Sequence, residues 1–118
     1  MKREADQSAS KQAVWELTST DHVLAEKIKE ALRGVEDPEL GYNVIELGLI
    51  RNAARTENSL NVTMILTTPF CPYAGELVEA VRATVTEVSG LQVFVDLRFD
   101  PWEPAMMEDG MDFDWGLF

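Results

Sequence analysis

Leu60-Asn61-Val62-Thr63-Met64-Ile65-Leu66-Thr67-Thr68-Pro69-Phe70-Cys71-Pro72 decides how this chain is built. Leu60, Val62, Met64 and Leu66 alternate with Asn61, Thr63 and Ile65, the period of a half-buried strand that ends at Thr67 and Thr68. From Pro72, a residue suited to a first helical position, Leu77, Val78, Val81, Val85 and Val88 form a helical stripe closed by Ser89-Gly90. Leu91, Val93, Val95, Leu97 and Phe99 then alternate against Gln92, Phe94, Asp96 and Arg98, which predicts a second strand over 91–99. A helix between two strands implies a right-handed crossover that leaves them parallel.

Working outward, Ser19, Thr20 and Asp21 offer an N-cap to a helix carrying Val23, Leu24, Ile28, Ala31, Leu32 and Val35, with Gly34 as its stop. Glu36-Asp37-Pro38-Glu39-Leu40 follows as an acidic turn, since Pro38 cannot continue the helix. Val44-Ile45-Glu46-Leu47-Gly48-Leu49-Ile50 predicts a short strand or the entry to one, and its Gly48 marks a bulge or a close backbone approach. Glu57-Asn58-Ser59 predicts a hairpin turn, so the sheet is expected to be mixed. The fold expected is an α/β (α+β) single domain, a small mixed β-sheet covered by two helices on one face. Residues 1–17 are expected to form a flexible N-terminal arm whose Val14, Trp15 and Leu17 dock on the domain, residues 18–107 the domain itself, and 108–118 an acidic–aromatic tail. Met111, Phe113, Trp115, Leu117 and Phe118 stand among acids in that tail, a composition that suits an interaction segment and a self-packing arm alike.

The formal net charge of −11 and the absence of any basic residue after Arg98 argue against a phosphate backbone as partner. Lys27, Lys29, Arg33, Arg51 and Arg55 read as solvated faces, so no nucleic acid is expected, and the acidic excess suits solubility or a basic protein partner. A single cysteine forms no disulfide within the chain, which points to a reduced, cytoplasmic setting. Met1-Lys2-Arg3-Glu4-Ala5-Asp6 opens without an apolar signal core, and no stretch is long enough to span a membrane, so no membrane partner is expected.

Cys71 stands where a strand ends and a helix begins, a place where unpaired N–H groups and the helix dipole stabilise a thiolate. The alternative is a cysteine packed as a small hydrophobe. Should the acidic turn meet the cysteine loop, Asp37, Glu39, Thr67, Thr68 and Cys71 would line one pocket, and a cation there would offset the carboxylates beside the thiol. Asp-Pro-Glu is also ordinary surface punctuation. His22, the only histidine, falls in the first turn of a helix, where a surface position is expected. No phosphate loop, zinc-spaced Cys/His set or Ser/His/Asp pattern is present. One thiol cannot complete an iron–sulfur site that takes four cysteines, so any cluster would be shared, by two Cys71 residues of a homodimer with exogenous thiols or by a partner protein.

Asp37-Pro38-Glu39-Leu40, Val44 to Ile50, Thr67-Thr68-Pro69-Phe70-Cys71-Pro72 and Asp100-Pro101-Trp102-Glu103-Pro104 stand together in an order that resembles the SufT-like metal–sulfur cluster assembly family, over residues 22–107. The family also includes a cytosolic iron–sulfur targeting subunit. The resemblance implies an α/β domain that aids cluster delivery through contacts with iron–sulfur assembly and client proteins, an assembly factor or adaptor rather than a catalyst. It implies a pocket of Asp37, Glu39, Leu40, Thr67, Thr68 and Cys71, with Cys71 as the cluster or metal contact. No tightly bound cofactor is implied, only a transient iron–sulfur cluster. Glu46 stands where the family more often has Asp, and Phe70 and Tyr73 place bulk around the cysteine. Two alternatives remain: an accessory subunit of a phenylacetyl-thioester ring oxygenase or a thiol-dependent enzyme, and an interaction module with an inert Cys71.

Overall fold

A computed structural model of the protein describes residues 13–38, 40–68 and 72–108. In chain order these form α1 (Glu16–Thr20), α2 (His22–Leu32), β1 (Ile50–Thr56), β2 (Ser59–Met64), α3 (Ala74–Ser89), β3 (Gln92–Leu97) and a short 3-10 turn, Pro104–Met106. The sheet order is β1-β2-β3, antiparallel between β1 and β2 and parallel between β2 and β3, so the expected mixed sheet is present. The two-residue turn Glu57-Asn58 closes the hairpin between Thr56 and Ser59.

Register sets the core. Val62 pairs with Ala53 on one side and Val95 on the other, and Leu60 pairs with Val93, which puts these side chains on one face of the sheet. Ile28 and Leu32 of α2 and Leu77, Val81 and Val85 of α3 bury against that face. Each such side chain contributes about 1.5–3 kcal/mol when fully buried. On the opposite face Asn61 and Asp96 are exposed and Phe94 is 51% exposed, so that face is open to solvent. Ahead of the first long helix, Trp15 and Leu17 lie within the core, and the Trp15 indole N–H donates to the Ile50 carbonyl at 3.0 Å.

The helix ends follow capping chemistry. The Asp21 carboxylate accepts from the Leu24 N–H at 3.1 Å, and α3 ends on Gly90 at φ +70°, a left-handed C-cap. The start of α3 lies later than the sequence suggests. Its first helical bond runs from the Leu77 N–H to the Tyr73 carbonyl at 2.8 Å, so Tyr73 is the N-cap and Pro72 falls in the preceding turn.

The strand expected over 44–50 is the main correction. Asn43–Gly48 is one closed helical turn, and β1 starts only at Ile50. The Asn43 side chain accepts from the Glu46 N–H at 2.8 Å while the Glu46 carboxylate accepts from the Asn43 N–H at 2.9 Å, a reciprocal capping box. The Leu49 N–H bonds to the Val44 carbonyl at 3.0 Å and the Gly48 N–H to Ile45 at 3.1 Å, with Gly48 at φ +73°, which closes the far end as a Schellman motif. These local bonds outweigh the apolar run that reads as a strand. Of the two roles expected for Gly48, the close approach is the one observed: a Cβ there would sit 2.0 Å from the Met106 carbonyl oxygen.

Met106 belongs to a strap, residues 99–108, that folds back over this turn. The Trp102 indole N–H donates to the Leu47 carbonyl at 2.8 Å, Met107 is fully buried, and the Glu108 N–H donates to the Glu46 carbonyl at 2.9 Å. Arg33 clamps the end of the strap through two hydrogen bonds to the Glu108 carboxylate, at 3.0 and 2.5 Å.

Candidate functional site

The acidic turn is built by backbone pairing on either side of Pro38. The Val44 N–H bonds to the Val35 carbonyl and the Asp37 N–H to the Tyr42 carbonyl, each at 2.9 Å, and Glu36 bridges Asn43. At the tip the Gly41 N–H returns to the Asp37 carbonyl at 2.9 Å and the Leu40 N–H reaches the Asp37 carboxylate at 3.3 Å. Gly41 has φ +79°, which glycine adopts without strain. Asp37 is only 2% exposed, so its carboxylate organises the turn from inside, as an Asx residue does. Leu40 is half-buried and packs on the core.

That turn and the start of α3 share a cleft of about 240 Å³. Val35, Glu36 and Pro38 form one wall, and Tyr73, Glu76, Leu77 and Ala80 the other. Tyr73 is 39% exposed, and the carboxyl-bearing Glu36 and Glu76 are exposed in a chain of net charge −11. Thr67 and Thr68, both half-buried, line a different cavity of about 200 Å³ with Arg98, Phe99 and Trp102. Glu39 and Cys71 lie outside the described residues. The structure therefore brings the acidic turn to the residues that follow Cys71 in the chain, and places the threonines that precede it in a neighbouring cavity of their own. Among the described residues, no three His, Cys, Asp or Glu side chains converge as a metal site. His22 is exposed at the start of α2, as expected.

Two charged groups nearby are perturbed in ways that bear on the scaffold. The hydrogen bond from Arg33 holds the Glu108 carboxyl below its ordinary range, and burial pulls the Arg51 guanidinium below its usual value. Arg51 donates to the Gly48 carbonyl at 2.9 Å and sits at the register shift of β1, so it braces the Asn43–Gly48 turn from the sheet side. Sequence reasoning passed over this brace, the capping box and the Trp102 anchor. Only the capping box left a local signal, Asn-x-x-Glu followed by Gly48.

Residues 25–95 match the family model described as "Iron-sulfur cluster assembly protein". The chain belongs to the SufT-like iron–sulfur cluster assembly family. Within it, the chain is 44% identical over 87 residues to an Fe-S protein maturation auxiliary factor of Porphyromonas gingivalis, covering 71% of this chain and 83% of that one. It is 35% identical over 95 residues to the Fe-S protein maturation auxiliary factor YitW of Bacillus subtilis, covering 77% and 88% respectively. A crystal structure of a domain of unknown function from Bacillus anthracis superposes with a TM-score of 0.72 at 26% identity, over 86% of this chain and 99% of that one. The family segment runs from Ala25 in α2 to Val95 in β3, so it contains the acidic turn, Cys71 and the cleft between that turn and the start of α3. No helix among the described residues is long and apolar enough to cross a membrane.

Proposed function

We propose that this protein is a maturation factor for iron–sulfur proteins, carrying an iron–sulfur cluster transiently as cargo on Cys71 and passing it to client proteins in the cytoplasm. Membership of the family, over a segment that contains Cys71, carries this reading. The cleft between the acidic turn and the start of α3 supports it, because a cargo held at Cys71 lies next in sequence to a wall of that cleft. Cys71 is the thiolate contact. Asp37 orders the turn from within, Leu40 packs beneath it, Glu39 assists the metal, and Thr67 and Thr68 position the cysteine loop. One thiol leaves the cluster short of ligands, so the remainder come from a second Cys71 in a homodimer, from free thiols or from the client. An open ligand set of this kind suits hand-over, since an incoming client thiolate displaces a weakly held ligand. A strain carrying Cys71→Ser, expressed at the wild-type level, is expected to lose most of the activity of its iron–sulfur enzymes while their polypeptide levels hold. Full client activity in that strain overturns the reading.

A further inference from the structure

β3 is an edge strand: β2 lies on one side of it, and among the described residues no strand lies on the other. The Arg98 N–H donates to the Met64 carbonyl at 2.8 Å, so the chain keeps to β2 for one residue past the end of β3. Backbone groups alternate sides along an extended strand. Those of Phe94, Asp96 and Arg98 therefore point to β2, and those of Val93, Val95 and Leu97 point to the open edge. An edge of this kind is a template for another strand.

The side chains along it are exposed in a particular order. Val95 and Leu97 are half-buried at the margin of the core face, and Phe99 beyond them is 71% exposed. Asp96 and Arg98 stand on the solvent face, 3.6 Å apart, and both side chains are more than half exposed. Val95-Asp96-Leu97-Arg98-Phe99 thus reads apolar, acidic, apolar, basic, apolar, symmetric about Leu97 except that acid and base exchange. A second copy laid antiparallel along the edge, Leu97 opposite Leu97, sets each Asp96 against the other copy's Arg98 and each Val95 against the other copy's Phe99. The open-edge groups of Leu97 and Val95 then take the hydrogen-bonded pairs. Asp96 and Arg98 fall in the non-hydrogen-bonded pairs, where facing side chains approach most closely. Neighbouring registers fail on charge. Centring the pair on Asp96 or on Arg98 sets that residue opposite its own copy, a like-charge contact. The segment carries no net charge in a chain of −11, so it is also a place where two acidic chains can meet without direct repulsion.

We infer that two copies of this chain pair antiparallel along β3, centred on Leu97, and join their sheets into one. The contact is one strand wide, smaller than a permanent interface, so the dimer is weak and its population follows concentration. It does not rest on the role proposed for Cys71, and either reading can fail without the other.

Sedimentation equilibrium of the full chain under reducing conditions, over a series reaching millimolar concentration, tests the pairing. Wild type is expected to dimerise reversibly, with slowed amide exchange at Val95 and Leu97 as concentration rises. Asp96→Arg and Arg98→Asp, each alone, set like charges opposite each other at both pairs and are expected to weaken the dimer about tenfold or more. Asp96→Arg also lowers the chain's negative charge, so relief of general repulsion would strengthen its association, the opposite outcome. An equimolar mixture of the two single variants restores both opposite-charge pairs, as does the double variant Asp96→Arg/Arg98→Asp. Both are expected to associate at least as tightly as wild type, which separates lost pairing from lost folding. A wild-type chain that stays monomeric throughout overturns the inference and leaves the edge to the strand of a different protein. Single variants that dimerise as well as wild type overturn it by placing the contact elsewhere, and so does a mixture that fails to recover.

Discussion

Replacing Gly48 by alanine tests whether the strap over the Asn43–Gly48 turn holds the fold together. At φ +73° an L-residue is strained by about 1–2 kcal/mol, and that alone is a modest cost. The decisive quantity is the space. A Cβ at this position falls 2.0 Å from the Met106 carbonyl oxygen and 2.8 Å from its carbon, both backbone atoms and both far inside van der Waals contact. Met106 must retreat, and the groups tied to it retreat with it. Burial of Met107 is worth about 1.5–3 kcal/mol and the Trp102–Leu47 hydrogen bond about 0.5–1.5 kcal/mol. The Arg33–Glu108 pair, whose side chains are more than a third exposed, adds at most about 1 kcal/mol. Partial loss of these together with the strain gives roughly 3–5 kcal/mol, or a fall in Tm of roughly 12–20 °C at about 4 °C per kcal/mol. Gly41 and Gly90 supply the controls, because they share the positive φ, at +79° and +70°, but have nothing within 4 Å of a Cβ. Their alanine variants are expected to lose only the strain, about 1–2 kcal/mol. Urea and thermal denaturation of the three variants decide the matter. A Gly48→Ala cost equal to that of Gly90→Ala would refute the strap as a source of stability.

Other outcomes follow from single groups. The Arg33 hydrogen bond depresses the folded-state titration of Glu108. The pair's contribution is therefore complete above the unfolded glutamate value, near 4.3, and disappears as pH falls through the lower folded value. Glu108→Gln is expected to cost at most about 1 kcal/mol at pH 7, and denaturation at pH 3 should show a smaller gap from wild type. Asn43→Ala removes half of the reciprocal cap and is expected to cost about 1–2 kcal/mol in the same assay, with β1 intact by amide exchange. Trp15→Phe keeps an aromatic ring, though a smaller one, and removes the indole N–H from the buried Ile50 carbonyl, a loss of about 1–3 kcal/mol that lowers Tm correspondingly.

Strict alternation and helical stripes made β2, α3, β3 and α2 legible, because in each the burial pattern alone dictates the element. The parallel pairing of β2 with β3 followed from the helix between them. β1 was not legible: Arg51-Asn52-Ala53-Ala54-Arg55 has little β-propensity and becomes a strand because β2 offers it a partner. Its neighbour Val44–Ile50 misled in the opposite sense, with an apolar run that serves a capped turn sandwiched between sheet and strap. Of the site, the buried Asp37 and the shared cleft of the acidic turn and α3 were open to inference only as loops that would have to meet. The grouping of Thr67 and Thr68 with Trp102 depends on the strap's return from residue 99, a tertiary fact with no local trace in sequence.

The account rests on Cys71 as the contact for an iron–sulfur cargo, and anaerobic reconstitution with iron and sulfide addresses it directly. Wild-type protein is expected to gain cluster absorbance and to pass the cluster to an apo-ferredoxin, with native mass reporting whether two chains share it. The Cys71→Ser variant, folded to the same Tm, is expected to do neither. Equal cluster loading and transfer by the variant would contradict the account.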